Sequence, residues 1–444
     1  MTKKPKKPLD EIKSKIFSRG LALAKTSLKT GSKIAAHSIS TLLSDDQIKK
    51  EKWEKLILRQ TEIWTEQLGE LKGSLMKAGQ LLSIYGEFFL PQEANEILKK
   101  LQQDSQPVRW EKMKAILNKE LGPEKLNQLK IHHEAIGTAS LGQVHQAENR
   151  STGDLLAMKI QYPGVEAAID SDLKALKNLL SLAKILPENL RTDYLFKEVK
   201  AMLQQETKYD LEAIETQDYR NRLKDFPEFV VPQVYPEFST SKVLTTSFEM
   251  GLRADDSLIQ SLSQERRNRL GLMFLELYFL ELFQWGVVQT DPHLGNYKIR
   301  LKSDGQDQLV LLDFGAMRKY SPEFLSSYHR MIRAGLQNDR SELESAAKDL
   351  KFLHESDNPR LKDLFIEFCL MTMEPFRGGD FDWKNTDLPK RASQKVFQII
   401  QEFHFRPPPS EIIFLNRKTG GVFIFLSVLG AKINARPLLE KYLT

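Results

Sequence analysis

The chain carries the stretch Q-T-D-P-H-L-G-N-Y-K-I-R at Gln289–Arg300, followed after a polar gap by L-V-L-L-D-F-G at Leu309–Gly315. An aspartate, an asparagine five residues later and an aspartate after an apolar strand are typical of a phosphoryl-transfer site. In such a site Asp291 positions or deprotonates the acceptor, while Asn296 and Asp313 hold Mg²⁺ on the nucleotide phosphates. The stretch therefore predicts a site that depends on nucleotide and magnesium.

The spacing of these residues has a chemical reason. Mg²⁺ prefers hard oxygen ligands in octahedral geometry and takes few of them from protein, so one amide and one carboxylate suffice when phosphates and water supply the rest. The apolar run at 310–312 predicts a buried strand that ends where Asp313 must project. Taken alone, Asp-Phe-Gly also fits an ordinary turn at a strand end, but the upstream Asp291 and Asn296 favour the magnesium site.

The composition is that of an ordinary globular protein with an uneven charge. The 444 residues, enough for two or three domains, are 41% hydrophobic and 28% charged. Residues 1–40 carry a net charge of +8, so the other 404 residues carry −2. Because this body is not basic and has no recurring basic-aromatic stripe, nucleic acid is not an expected partner. The single cysteine, Cys369, excludes an internal disulfide, and its apolar neighbours predict a buried structural thiol.

Residues 1–45 form a basic tail for which two interpretations stay open. Their lysines and apolar residues are compatible with an amphipathic helix lying on anionic lipid, and equally with a solvated, partly disordered segment. Arginine is nearly absent, which argues against a transit peptide, and no signal peptide follows the lysines. No uninterrupted apolar run reaches the length of a membrane-spanning helix. We therefore expect a cytoplasmic protein, with peripheral contact at the inner face of a membrane through this tail as an open alternative.

The next segment, residues 46–128, is predicted to form a helical extension. Apolar residues such as Trp53, Ile57 and Trp64 recur at near-helical steps. The tetrapeptide Lys77-Ala78-Gly79-Gln80 lies within this helical pattern, and a further helix is predicted over residues 93–103.

From Ile131 onward the pattern changes to strands. Residues 136–147 predict a strand, a turn and a second strand, and Leu155–Ile160 predicts a third strand. Small residues in the first turn would let the backbone approach phosphates. The candidate nucleotide contacts in and beside this turn are Gly137, Thr138, Ala139, Ser140, Leu141, Gly142 and Val144. Lys159 lies in A-M-K-I, the context of the strand lysine that contacts the α- and β-phosphates.

Two helices and two further strands are predicted next. Ala167–Leu186 and Tyr194–Arg222 have helical patterns, and the second contains Glu206 and Glu212. A kinase-type site needs a helix glutamate paired with the strand lysine, although both glutamates also fit exposed helix charges. The strands are predicted over Val230–Val234 and Val243–Phe248. Glu249 would then lie at the segment joining two lobes, where backbone contacts to adenine are usual.

The rest of the chain is predicted to be mainly helical. Leu262–Trp285 is an apolar core helix that leads into the Asp291 stretch. The later helices are predicted over Pro322–Leu336, Asp339–Leu353, Asn358–Met373, Ala392–Phe403 and Phe414–Ile433. We expect His293 to shape the loop around Asp291 rather than to accept a proton.

Together, these motifs resemble the UbiB/AarF family of atypical kinases over roughly residues 50–435. The most specific match is Lys-x-Gly-Gln at Lys77–Gln80, a motif that ordinary protein kinases lack. I-G-T-A-S-L-G-Q-V-H, A-M-K-I, E-x-x-Y-x-x-E-A at Glu206–Ala213, D-P-H-L-G-N and L-D-F-G also match.

The resemblance implies an α+β, protein-kinase-like two-lobe fold. Its parts would be a β-rich N-lobe at 129–250, a helical C-lobe at 251–444, and the extension at 46–128 covering the place where a protein substrate would bind. The resemblance also implies ATP and Mg²⁺ as cofactors, and ATPase activity rather than clear protein phosphorylation. A role in ubiquinone or other isoprenoid-lipid metabolism at a membrane follows from it, with a lipid or isoprenoid-quinone intermediate as partner. Monomer and homodimer both stay open.

The resemblance also assigns roles to single residues. Lys159 would contact phosphate and pair with Glu212. Asp291 would be the carboxylate of the catalytic loop, and Asn296 and Asp313 would bind Mg²⁺.

The extension is expected to take part as well, although the sequence departs from the family there. Lys77 and Gln80 would reach the nucleotide, with Glu206 beneath them. Lys208 stands where the family usually has Asp, which argues against the usual contact between the extension and the N-lobe. Leu294 replaces the usual Pro of the D-P-H-P-G-N motif.

Two classes of function follow from these residues. The first is an ATP-dependent atypical kinase or ATPase, because the phosphate- and metal-binding residues are all present. The alternative is a nucleotide-gated protein that binds lipid or another protein with little turnover, which the extension and Lys208 favour. A purely structural pseudokinase fits less well because Lys159, Asn296 and Asp313 are intact. The sequence does not identify the phosphoryl acceptor.

Overall fold

In the computed structural model the described residues are 73–89, 98, 107–182, 192–402 and 410–443. The predictions for the basic tail, for residues 46–72 and for the helix over 93–103, apart from Leu98, lie outside these residues. The described residues fall into two compact units. The first unit runs up to Ile214 and includes Gln233–Phe248, and the second comprises Glu215–Pro232 and the residues from Glu249 on.

Helices and strands alternate irregularly through the first half of the chain. In chain order they are α1 (Ser74–Phe89), α2 (Trp110–Asn127), β1 (Leu129–Thr138), β2 (Gly142–Asn149), β3 (Leu155–Gln161), α3 (Val165–Leu182), α4 (Thr192–Glu206), α5 (Tyr209–Arg222), β4 (Phe229–Val230) and β5 (Val243–Ser247).

The second half of the chain is mainly helical. Its elements are α6 (Ser257–Gln260), α7 (Gln264–Phe279), β6 (Val287–Gln289), β7 (Tyr297–Arg300), β8 (Gln308–Leu311), β9 (Met317–Lys319), α8 (Pro322–Gln337), α9 (Arg340–Asp349), α10 (Pro359–Thr372), β10 (Phe381–Asp382), α11 (Leu388–Glu402), α12 (Ser410–Leu429), β11 (Lys432–Ile433) and α13 (Arg436–Leu443).

The first unit is built on an antiparallel sheet with strand order β1-β2-β3-β5. Along β3 the side chains of Met158 and Ile160 are fully buried in a core that also contains Met113 and Leu117 of α2. Because side chains alternate across a strand, Lys159 points to the opposite face of the sheet. The predicted strand–turn–strand and the third strand are therefore present, and β3 presents its lysine away from the core.

The single helix predicted over Tyr194–Arg222 is wrong: α4 and α5 are separate helices. The chain breaks at Thr207, whose carbonyl accepts a hydrogen bond from Gln161 Nε2 at 2.7 Å. Two residues later, Tyr209 N donates to Ser241 O at 3.1 Å. Both bonds use backbone groups that a continuous helix would have bonded internally, so tertiary contacts override the local helical pattern.

The described part of the second unit combines its helices with three small sheets, β4-β8-β7, β6-β9 and β10-β11. The predicted core helix leads into the Asp291 stretch but changes character at its end. Residues Leu280–Trp285 form a π-helical turn, which Gly286 ends with a φ of +62°. Such turns often occur at functional sites. Here the turn directs Glu281 into the protein interior, where it is fully buried.

The end of the chain differs from the helix predicted over Phe414–Ile433. Helix α12 starts earlier and stops at Leu429, because Gly430 has a φ of +66° that ends the helix. Strand β11 and helix α13 follow.

Helix α12 is a core helix by its contacts. Phe425 stacks on Phe274 at a centroid distance of 3.9 Å. By length and composition alone, its segment Glu411–Leu429 could cross a membrane. The sequence did not predict this segment because charged residues interrupt its apolar run. The apolar window of that segment is 56% buried inside the protein, as expected of a core helix. The prediction for Cys369 is confirmed: the thiol is buried, and burial raises its pKa to about 12.

Candidate active site

The predicted strand lysine and helix glutamate are in direct contact within the first unit. Lys159 Nζ donates hydrogen bonds to the two carboxylate oxygens of Glu212 at 2.7 and 2.8 Å. The Glu212 side chain is 5% exposed, whereas that of Lys159 is 18% exposed. The lysine also lies over the ring of Tyr209, 5.1 Å from its centroid. This geometry holds a cation in a fixed position while leaving part of it accessible.

The small-residue turn joins β1 and β2 as predicted. Ala139 N donates to Gly142 O at 2.8 Å, which closes the turn. A Cβ on Gly142 would collide with the carbonyl of Ile160 and lie 2.7 Å from Tyr209 Oη, so glycine is required there for packing. A Cβ on Gly137 would meet nothing within 4 Å. Open space at Gly137 is what close approach of a ligand to this backbone needs.

The remaining candidates of this turn differ in access. Thr138 is exposed, Ala139, Ser140 and Val144 are half-buried, and Leu141 is buried. The buried Leu141 carbonyl accepts a hydrogen bond from Tyr162 N at 2.9 Å. Leu141 therefore anchors the turn, while its neighbours keep some access to solvent.

The Lys-x-Gly-Gln motif lies on α1, which packs within the first unit. Lys77 Nζ is 2.8 Å from Glu206 Oε1 at the end of α4, and their side chains are 5% and 14% exposed. At the start of α1, the buried Ser74 hydroxyl donates to the carboxylate of Asp172 on α3. Lys208 is exposed, so its presence does not prevent the contact between Lys77 and Glu206.

Gln80, the last residue of the motif, lies one turn further along α1. Its side chain is half-buried, and its carbonyl accepts a hydrogen bond from Ser83 Oγ at 2.8 Å. Within the first unit the structure thus brings Lys77 to Glu206 and Lys159 to Glu212 as two separate ion pairs.

The loop of residues 289–296, which is predicted to be catalytic and is called the catalytic loop below, is shaped by its own hydrogen bonds in the second unit. Asn296 Nδ2 donates to Asp291 O at 2.9 Å, and His293 Nδ1 accepts from Gly295 N at 3.0 Å. Mg²⁺ takes oxygen ligands, so Oδ1 is the atom of the Asn296 side chain suited to it, and the hydrogen bond from Nδ2 fixes the orientation of the amide. His293 shapes the loop by capping its tight turn.

Gln289 connects the catalytic loop to the Asp-Phe-Gly segment. Its Nε2 donates to Asp291 O at 2.9 Å and to Asp313 O at 3.4 Å, and its Oε1 accepts from Tyr297 Oη at 3.1 Å. The backbone pairing of Leu312 N with Asn296 O, at 2.9 Å, adds a second link. The backbones that carry the two predicted metal ligands are therefore held next to each other.

Asp313 follows β8 and begins a turn. Its Oδ1 accepts a hydrogen bond from Gly315 N at 2.9 Å, which orients the carboxylate. One amide oxygen and one carboxylate on adjoining segments are a donor set that Mg²⁺ accepts. The residues present in the second unit thus fit the predicted cation.

Arg417 is a site residue that the sequence reasoning missed. Its Nη2 donates to Asp291 Oδ1 at 2.6 Å, from 126 residues further along the chain. The available signal was the pair Arg417-Lys418 within the apolar helix α12. Two adjacent cations in such a helix need partners, and a carboxylate at a functional loop is one.

Lys418 finds its partner in Glu281, and this pair was also missed. Lys418 Nζ is 2.6 Å from Glu281 Oε2, and both side chains are 1% exposed. Glu281 Oε1 accepts from Tyr219 Oη at 2.7 Å and from Gln289 N at 3.3 Å. Burial, with the carboxylate of Glu281 next in importance, raises the pKa of Tyr219 well above its usual value, so the phenol remains a donor.

Glu249 was expected to contact adenine through its backbone. Its carboxylate binds the guanidinium of Arg300, and its carbonyl accepts a hydrogen bond from Lys298 Nζ at 3.4 Å. Burial lowers the pKa of Lys298. The side chain of Glu249 is thus tied to β7 within the second unit.

The chain is similar to known atypical kinases. Residues 100–347 match the ABC1 atypical kinase-like domain. The chain is 32% identical over 395 residues to the atypical kinase COQ8, mitochondrial, of Saccharomyces cerevisiae, covering 88% of this chain and 77% of that protein. It is 33% identical to the atypical kinase COQ8B, mitochondrial, of Rattus norvegicus, covering 83% of this chain and 69% of that protein.

A solved structure is similar over almost the whole length. The Rv3197 protein of Mycobacterium tuberculosis, determined in complex with erythromycin, superposes with a TM-score of 0.59 at 25% sequence identity. The match covers 90% of this chain and 98% of that chain. With the domain match, this confirms the predicted kinase-like α+β fold, with a small antiparallel sheet in the N-terminal part and a mainly helical C-terminal part.

Proposed function

Because the chain belongs to the ABC1 atypical kinase-like family, we propose that it binds ATP with Mg²⁺ and transfers the terminal phosphoryl group to water or to an acceptor. The contact that carries this proposal is the pair in which Lys159 Nζ lies 2.7 Å from Glu212 Oε1. Kinases need this pair because it holds the lysine for the nucleotide phosphates. The partial exposure of Lys159 supports the same role.

In the proposed reaction Asp291 orients the acceptor oxygen and accepts its proton. The ion pair with Arg417 and the hydrogen bonds to the Asp291 carbonyl support this role, since they fix both ends of the residue. Asn296 and Asp313 would hold Mg²⁺, which when bound neutralises negative charge on the phosphates. The turn at 137–144 would contact the phosphates through its backbone, and the backbone of Glu249 the adenine.

We further propose an isoprenoid lipid or quinone intermediate as the partner, with the protein acting at a membrane. This proposal rests on the resemblance to the UbiB/AarF family and on the mitochondrial COQ8 relatives. The division into tail (1–45), extension (46–128), N-lobe (129–250) and C-lobe (251–444) is part of the same proposal.

The first test is Mg²⁺-dependent ATP hydrolysis by the purified full chain, with and without anionic liposomes. Asp313→Asn should lower turnover by at least about 10²-fold, because it removes a charge that acts on the transferred group. Asp304→Asn is the matched control, since Asp304 is exposed in the same unit and has no proposed role. It should leave turnover unchanged. Equal turnover in wild type and Asp313→Asn would contradict the enzyme proposal.

A second candidate function is a nucleotide-gated binding protein with little turnover. The buried contacts that fix α1, namely the Lys77–Glu206 ion pair and the Ser74–Asp172 hydrogen bond, favour it because they resist displacement of the extension. This function predicts that Mg²⁺ and ATP raise the melting temperature although no phosphate is released. ATP hydrolysis that disappears in Asp313→Asn would exclude it in favour of the enzyme.

A further inference from the structure

We infer that helix α12 sets the position of the catalytic loop and that Gly421 is the positioning residue of this contact. The inference rests on the proposed function, in which Asp291 acts on the phosphoryl acceptor. It goes beyond that function by assigning a role to a glycine that has no side chain to take part in chemistry.

Two residues of α12 that are one turn apart contact two consecutive residues of the catalytic loop. Arg417 binds the carboxylate of Asp291 at 2.6 Å. Positions i and i+4 lie on the same face of a helix, so Gly421 follows Arg417 along this face. Gly421 faces Pro292, the residue after Asp291.

The contact at Gly421 leaves no room for a side chain. An added Cβ would overlap Cβ and Cγ of Pro292 and lie 3.2 Å from its carbonyl oxygen. Gly420, its neighbour in sequence, is exposed, and a Cβ added there would meet nothing within 4 Å. The two glycines therefore differ in their packing against the loop while sharing the same helix.

Helix α12 cannot easily move to relieve such an overlap. Its Lys418 is bound to the buried Glu281, and its Phe425 is stacked on Phe274 in the core. Residues 290–293 of the loop have no regular secondary structure, and Pro292 is only half-buried, so Pro292 has more room to shift than the helix has. A methyl group at position 421 would therefore displace Pro292, and Asp291 with it, rather than the helix.

The test compares Gly421→Ala with Gly420→Ala in the full chain, using steady-state MgATP hydrolysis and hydrogen–deuterium exchange. Displacement of a reacting group by about 1 Å costs on the order of 10²-fold in rate, so kcat of Gly421→Ala should fall by about that factor. KM for MgATP should stay within about twofold, because the first unit's phosphate contacts are untouched. Amides of residues 289–297 should exchange faster in Gly421→Ala alone. Gly420→Ala should match wild type in both measurements.

Pro292→Gly provides a second comparison that does not require Gly421→Ala to fold. Pro292→Gly removes the two atoms that the added Cβ would overlap and leaves only the carbonyl oxygen at 3.2 Å, so the double variant should lie close to Pro292→Gly in kcat and in exchange. A double variant clearly worse than Pro292→Gly, or equal kcat and exchange in Gly421→Ala and Gly420→Ala, would overturn the inference. Wild-type turnover no greater than that of Asp313→Asn would instead contradict the proposed function, and the exchange data would still decide the role of Gly421.

Discussion

Two lysine–glutamate ion pairs in this chain share their chemistry but differ in their access to solvent. In the first unit Lys159 Nζ lies 2.7 Å from Glu212, and the lysine side chain is 18% exposed. In the second unit Lys418 Nζ lies 2.6 Å from Glu281, and both side chains are 1% exposed. An incoming phosphate could therefore compete for Lys159, whereas Lys418 is closed to any ligand.

This difference separates an ion pair suited to binding from one suited to architecture. Removing two charges from water is expensive, and the cost is offset only when further hydrogen bonds satisfy them. Glu281 meets this condition through Tyr219 and Gln289, the residue that begins the catalytic loop. The Lys159–Glu212 pair keeps some contact with solvent, so its lysine can exchange carboxylate for phosphate at a smaller cost.

The largest effect is expected when the closed pair is broken. Lys418→Met should leave the buried charge of Glu281 without its counterion and lower the stability by about 3–5 kcal/mol. For a unit of this size, that corresponds to a fall of roughly 10 °C in melting temperature. Calorimetry or circular dichroism measures this change directly.

The double variant Lys418→Met/Glu281→Gln is the matched control. It removes both charges while keeping an acceptor for Tyr219 and the backbone of Gln289. Most of the lost stability should return, because replacing both members of a buried pair is often close to neutral. Equal melting temperatures of the single and double variants would show that the unpaired charge of Glu281 is not the cause of the lost stability.

The second largest effect concerns activity rather than stability. Lys159→Met should lower MgATP turnover by about 10²-fold, because it removes a charge aimed at the phosphates. Its melting temperature should fall less than that of Lys418→Met, since the removed lysine is 18% exposed and water can take its place beside Glu212. The contrast between the two lysines would fail if Lys159→Met were as unstable as Lys418→Met while turning over ATP normally.

How far the sequence predicts this arrangement depends on the range of the interactions. Lys159, Glu212, Asp291, Asn296 and Asp313 could be proposed as site residues because each belongs to a short motif at a strand, a helix or a loop. The β1–β2–β3 hairpins followed from alternation and turn residues within a few positions. Features of this kind can be predicted from one sequence because residues close together in the chain determine them.

The features that the sequence did not reveal depend on distant partners. The role of Arg417 requires Asp291, 126 residues away. The break between α4 and α5 at Thr207 is set by Gln161 and Ser241, which belong to other elements. Neither contact produces a periodicity, so no reading of a single sequence could have placed them.

A third lysine, Lys77, has a solvent exposure between those of Lys159 and Lys418. Lys77 is 5% exposed, whereas its partner Glu206 is 14% exposed, more than the glutamate of either other pair. Lys77→Met should cost about 1–3 kcal/mol, since it leaves a largely buried carboxylate without its cation. The melting temperature with and without MgATP separates two roles. A fall in melting temperature with the ATP-induced rise intact assigns Lys77 to packing alone, and a smaller rise with ATP assigns it to nucleotide as well.

The smallest effect is expected at a buried group of the first unit that carries no charge. His145 Nε2 lies 2.8 Å from Gln143 Nε2, and its Nδ1 lies 2.9 Å from His132 O. The Gln143 amide is oriented by Val108, whose N–H donates to its Oε1 and whose carbonyl accepts from its Nε2. The Gln143 amide therefore donates to His145 Nε2, and the ring must be neutral with its proton on Nδ1.

Protonation of His145 would set two donors against each other, so acid should destabilise the first unit. Burial lowers the pKa of His145 and outweighs the hydrogen bond that the ring donates to the His132 carbonyl. Below the unfolded value of about 6.5, the unfolded chain binds a proton that the folded chain excludes, so stability falls as pH falls through that value.

Denaturant midpoints measured from about pH 7.5 to about pH 5 should fall less steeply in His145→Gln than in wild type. His354→Gln, at an exposed histidine of the second unit, should keep the wild-type slope. Identical slopes in all three proteins would show that the folded and unfolded chains protonate His145 equally and that the hydrogen-bond assignment around Gln143 is wrong.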